Sequence, residues 1–170
     1  MAIFLRSQGG TNTKMSSVIN FIVEISDEKR EAVTGLLKHE ASSMGIGIWF
    51  DHFFAEDYVK EIASSEALIF ELADDNEYCN CEALVEPWWY DEVGKDLFEK
   101  RMRFIEKIAS LCLQYVPNVH LVIGTSRVQY AELPHVNITP FDFFKDIKQR
   151  YDECTGVPTT PDVHYIFVHP

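Results

Sequence analysis

The 170-residue sequence predicts an α/β fold, with a single-domain mixed sheet of five or six strands covered by about four helices. Three observations carry this expectation. Strand-like and helix-like hydrophobic patterns alternate along most of the chain. The apolar and aromatic fractions, 46% and 13%, are those of a globular protein. The length is enough to bury about two-thirds of the unfolded surface around one core.

The elements follow in order. Ser17 to Ile25 is rich in β-branched and apolar residues and predicts a largely buried first strand. Ser26-Asp27-Glu28 then supplies an N-cap and first-turn acids, and Val33, Leu36, Leu37, Ala41 and Met44 recur at helical spacing until Gly45 stops the helix. A strand is expected around Ile46 to His52, a short helix from Ala55 to about Ser64, and a third strand at Ala67 to Leu72. The longest helical pattern runs from Asp91 to Tyr115. Its broad stripe contains Leu97, Phe98, Met102, Ile105, Ile108, Ala109, Cys112 and Leu113, while Lys95, Lys100, Arg101, Arg103 and Lys107 crowd the other faces. His120 to Gly124 is a short apolar run of the central-strand type, and Val128 to Leu133 is expected as an antiparallel strand nearer an edge. Thr139-Pro140 is a strong helix start, with Phe141, Phe144, Ile147 and Tyr151 turned inward. His164 to Val168 forms the last strand.

Residues 1 to 15 are expected to be a flexible tail, because Ser7 to Lys14 is polar and a second methionine stands at Met15. The globular domain is then 16 to 170. The apolar patch in Met1 to Leu5 is too short for a secretory h-region, and no apolar run approaches the roughly 18 residues of a membrane span. A cytoplasmic location follows as the expectation. Cys79, Cys81, Cys112 and Cys154 then read as reduced thiols, with Cys112 a small buried hydrophobe on the helical stripe.

Charge is the most informative part of the composition. The 27 acids and 15 bases leave a formal net charge of -12, with a pI near 4.8. Such a field repels phosphate backbones and anionic membranes, so neither nucleic acid nor a lipid surface is an expected partner. From Glu61 to Glu92 there are ten carboxylates and no lysine or arginine, and the run ends in Pro87-Trp88-Trp89-Tyr90-Asp91-Glu92. Negative charge beside large aromatics suits a surface that receives a cationic protein. Glu71, Asp74, Asp75, Glu77, Glu82, Glu86, Asp91 and Glu92 are the candidates to steer and pair with it, and Trp88, Trp89 and Tyr90 to anchor it. A plainer use exists for the tryptophans, which can pack over the sheet while Asp91 and Glu92 favour the start of the long helix. The basic faces of that helix lie close in sequence and can offset part of the acidic run internally.

Catalytic and cofactor signatures are weak. Neither GxxxxGK[ST] nor GxGxxG occurs. Cys79 and Cys81 lack a second zinc-type pair, although His52, His120, His135, His164 and His169 can converge only in space. Gly124-Thr125-Ser126-Arg127 does not meet the GxSxG elbow. His120 and His164 fall in strand-like segments, where the expected role is structural. No catalytic residue, metal or cofactor is therefore assigned.

A compact acidic α/β chain in which Glu71-Leu72-Ala73-Asp74-Asp75 leads to Glu86-Pro87-Trp88-Trp89-Tyr90-Asp91-Glu92 resembles the immunity proteins of bacterial polymorphic-toxin and contact-dependent-inhibition systems. The resemblance is one of general character over residues 16 to 170. It implies noncatalytic neutralisation of a cognate basic toxin, often a nuclease, by covering its active site or an adjacent surface. The alternative is a small cytosolic hydrolase with a His/carboxylate site in a cleft at strand ends.

Overall fold

A computed structural model of the chain describes residues 17–50, 67–74, 92–125, 133–153 and 161–170. They form one mixed six-stranded sheet and three helices, an α/β fold. The strands are β1 (Ser17–Val23), β2 (Ile46–Phe50), β3 (Leu68–Asp74), β4 (Asn118–Thr125), β5 (His135–Ile138) and β6 (Val163–Val168). The helices are α1 (Asp27–Ser43), α2 (Glu92–Leu113) and α3 (Pro140–Glu153). The order across the sheet is β2-β3-β1-β4-β6-β5. Every neighbouring pair is antiparallel except β5 and β6, which run parallel on either side of α3 in sequence. The short helix expected over 55–64 and the tail over 1–15 lie outside the described residues.

Strand alternation divides the sheet into two faces. One face carries Phe21, Phe70, Leu121 and Tyr165, and all three helices add their buried residues to the same hydrophobic cluster. Phe21 and Phe70, paired across β1 and β3, stack with ring centroids 4.9 Å apart. Such a contact adds about 0.5–1.5 kcal/mol beyond the area it buries. The other face carries Asn20, Ile22, Glu71, His120, Val122 and His164. It is largely inaccessible too, with Ile22, Val122, Asn20 and His164 all buried.

Each helix takes its phase from the residues it must bury. Ser26 stands at the N-cap of α1 in extended conformation, and its carbonyl accepts from the N–H groups of Lys29 and Arg30 at 3.0 and 3.1 Å. Its side chain makes no capping hydrogen bond, so the cap acts through the backbone and the adjacent acids Asp27 and Glu28. Gly45 ends the segment at φ 66°, the left-handed conformation that a Cβ disfavours. Val33, Leu37 and Ala41 face the core at i, i+4 and i+8. Leu36 is therefore turned away from that row and is exposed, which corrects its expected inward position.

The same reasoning corrects α3. Pro140, Phe143, Ile147 and Tyr151 form the buried stripe, whereas Phe141 is 83% exposed. Phe143 fixes the phase by seating its ring against Tyr165 and Phe167, at centroid separations of 5.0 and 5.4 Å. Phe144 is half-buried instead, with the Arg103 guanidinium 4.4 Å above its ring. A second difference concerns the sheet edge. Of the strand expected at Val128 to Leu133, only Leu133 is described, as a buried bend residue. The described edge strand is His135–Ile138, held between Pro134 and Pro140 and only four residues long. A short edge exposes few unpaired backbone groups.

Candidate functional site

The acidic segment is anchored at both ends by regular structure. Asp74 closes β3 opposite Ile46, and Glu92 is the first residue of α2. Asp75, Glu77, Glu82, Glu86, Trp88, Trp89, Tyr90 and Asp91 lie outside the described residues. Glu71 is described, and its position is a correction. It is 7% exposed within β3, paired with Asn20 on one side and Trp49 on the other, so it does not belong to a solvent-facing charged surface.

The basic residues of α2 bear directly on the charge of this segment. Arg103 pairs with Glu106 at 2.9 Å and with Glu99 at 3.6 Å. Donation of a hydrogen bond to the Glu106 carboxylate raises the Arg103 pKa above its ordinary value, against the opposing effect of burial. Lys107 reaches across to Glu40 of α1. Arg103 is thus paired within α2 itself and Lys107 with a neighbouring helix. Glu106 also accepts a hydrogen bond from the Phe144 N–H at 3.0 Å, tying α2 to the start of α3. On α3 itself, the Asp146 carboxylate accepts from the Tyr165 hydroxyl and from Arg150 Nε, both at 2.6 Å. Burial, reinforced by the Asp146 carboxylate, drives the Tyr165 pKa upward and keeps the phenol protonated.

The second sheet face holds a polar row. Trp49, Glu71, Asn20, Val122, His164 and His135 are successive cross-strand partners, reaching from β2 to β5. His120 lies diagonally next to His164, and its Nδ1 is 2.9 Å from His164 Nε2. The two rings are stacked, while His135 meets His164 edge-on at 4.8 Å between centroids. His164 is 1% exposed. Burial, then the charge that His120 and His135 would carry, push its pKa down to about 3. Burial also lowers the His120 pKa, while Glu24 opposes and His135 assists that shift.

One hydrogen must be shared between His120 and His164, so one ring donates and the other accepts. The pair is neutral at ordinary pH, and a base held near 3 is a poor proton acceptor at pH 7. The pair is joined by a hydrogen bond between neighbouring strands of the sheet. His135, named in the sequence only as one of several histidines that could meet in space, reaches this row through the short edge strand β5. Among the described residues, no group of three or more His, Cys, Asp or Glu side chains can hold a metal ion.

Two further features complete the surface and core. A surface groove along α1 is lined by Asp27, Arg30, Glu31, Thr34 and Lys38, whose mixed charges select no single ligand class. Cys112 is a buried free thiol, its pKa pushed up to about 12 by burial. Among the described residues no helix is long and apolar enough to cross a membrane. Comparisons with protein-family models, with curated proteins and with solved structures find no match to this chain.

Proposed function

We propose that this chain is a noncatalytic immunity-type protein that acts in the cytoplasm, binding and neutralising a cognate basic toxin of the nuclease class. The contact surface is the acidic and aromatic segment from Asp74 to Glu92, without Glu71. One observation carries the reading: the negative charge is concentrated and has lost part of its expected internal compensation. Ten acids occupy Glu61 to Glu92, leaving 17 elsewhere against the chain's 15 bases. Arg103 and Lys107, two bases on the helix that follows the run, engage Glu99, Glu106 and Glu40 instead. A cationic partner supplies relief of like-charge repulsion and rapid, selective encounter.

The direct test is affinity capture from the native cell, with identification of the product of the adjacent gene. Recovery of a small basic toxin domain whose activity is abolished by stoichiometric chain supports the proposal. Undiminished toxin activity in the purified complex contradicts it. The hydrolase reading is favoured by the sharing of one sheet face by His120, His164 and Glu71. It requires turnover that His120→Asn abolishes, and turnover unaffected by that change removes these residues from any catalytic role.

A further inference from the structure

The histidine row joins three strands at the end of the sheet where the described edge is shortest. His120 comes from β4, His164 from β6 and His135 from β5. His164 stands in the middle, hydrogen-bonded to one ring and in edge contact with the other. β5 contributes only four residues, and its pairing with β6 begins at the His135–His164 position, where the His164 N–H also donates to the Pro134 carbonyl at 3.0 Å. Any charge on His164 is therefore introduced at the point where the edge strand is fastened.

Glu24 follows β1 and acts on His120. Asp162, just before β6, lies against Gly124 of β4, where an added Cβ would stand 2.9 Å from its Oδ1. Glu71 and Asn20 continue the row on β3 and β1. Burial, then the His120 and His135 rings, lower the His164 pKa.

We propose that His120, His164 and His135 form an acid-sensitive latch around the buried His164: protonation of both rings of the pair breaks the His120–His164 hydrogen bond and releases the β5–β6 edge while the β3–β1 side of the sheet stays paired. The bond tolerates one added proton, shared between the rings, but not two. The direction follows from linkage. His164 binds no proton in the native state until the pH nears 3, whereas the released chain binds one from the ordinary 6.5 downward. Stability at this edge is therefore complete above 6.5 and declines as the pH falls from 6.5 towards 3. At pH 5 the opening equilibrium should rise by roughly thirtyfold over its value at pH 8, from His164 alone.

The test is amide hydrogen exchange on the full chain at pH 8 and pH 5, with rates corrected for the intrinsic pH dependence. The expected result is a roughly thirtyfold fall in protection for β5 and β6, with β1 and β3 little changed, and loss of that difference in His164→Gln. Equal protection at both pH values, a uniform fall over all strands, or an unaltered pH response in a folded His164→Gln protein would each overturn the latch. Should His164→Gln fail to fold, the ring titration of His164 in the unaltered chain decides by NMR. A ring that stays neutral to below pH 5 supports the proposal, and one that titrates near 6.5 overturns it.

Discussion

Replacing Glu106 separates two roles that one carboxylate performs at the α2–α3 junction. Its Oε1 accepts from the Phe144 N–H at 3.0 Å, and it also pairs with Arg103, whose guanidinium lies over the Phe144 ring. The Glu106 side chain is only 13% exposed, so its loss leaves the Phe144 N–H with a poorer acceptor in a half-buried site. A hydrogen bond to a charged acceptor contributes about 1.5–3 kcal/mol. Arg103 is 48% exposed, which limits its ion pair to about 0.5 kcal/mol. Glu106→Ala should therefore destabilise the fold by about 2–3 kcal/mol. Glu106→Gln keeps an oxygen that can accept from Phe144 and should cost only about 1 kcal/mol. Urea unfolding at pH 7, followed by tryptophan fluorescence and circular dichroism together, gives both values if the transitions coincide. Equal costs for the two variants would show that charge, not the acceptor, holds the helices, and a cost below about 0.5 kcal/mol for Glu106→Ala would remove the junction from the stability argument.

Other outcomes follow from the same structure. Phe143→Ala should cost about 3–5 kcal/mol, whereas Phe141→Ser should stay within about 0.5 kcal/mol, and denaturant melts that reverse this order would refute the assigned phase of α3. Gly45→Ala places a Cβ at φ 66° with no heavy atom within 4 Å, so the expected loss of about 1 kcal/mol comes from the backbone alone. Asparagine at the same position should recover part of it, as thermal unfolding can show. Cys112, its thiol pKa raised by burial, should resist alkylation in the native chain at pH 8 and react once urea is added. Peptide mass mapping checks this, and native labelling at Cys112 contradicts its buried position.

The sheet and its helices were legible because hydrophobic period and punctuation agreed. Ser26, Gly45 and Thr139-Pro140 all stand at helix ends, and the β1, β3, β4 and β6 segments are apolar enough to announce buried strands. The errors arose where tertiary contacts chose between equally apolar neighbours. Phe141 and Phe143 have the same side chain, and only the rings of Tyr165 and Phe167 decide which one turns inward. His135–Ile138 was illegible because four residues between two prolines carry too little period to mark a strand. Glu71 looked like one more member of an acidic run, yet its place in β3 puts it beside Asn20 and Trp49 on a buried face. Sequence charge counts carboxylates without regard to the strand that removes one from solvent.

The central claim is that the acidic segment between β3 and α2 draws in a basic protein. Its most direct test is the association rate with the captured toxin, measured by stopped flow across a range of salt concentrations. The unaltered chain should associate fast at low salt and slow steeply as salt is added. Asp74→Lys, Asp75→Lys and Glu77→Lys combined should slow association by about tenfold or more at low salt and flatten the salt dependence. Unchanged rates and an unchanged salt slope in a folded triple variant would contradict the account.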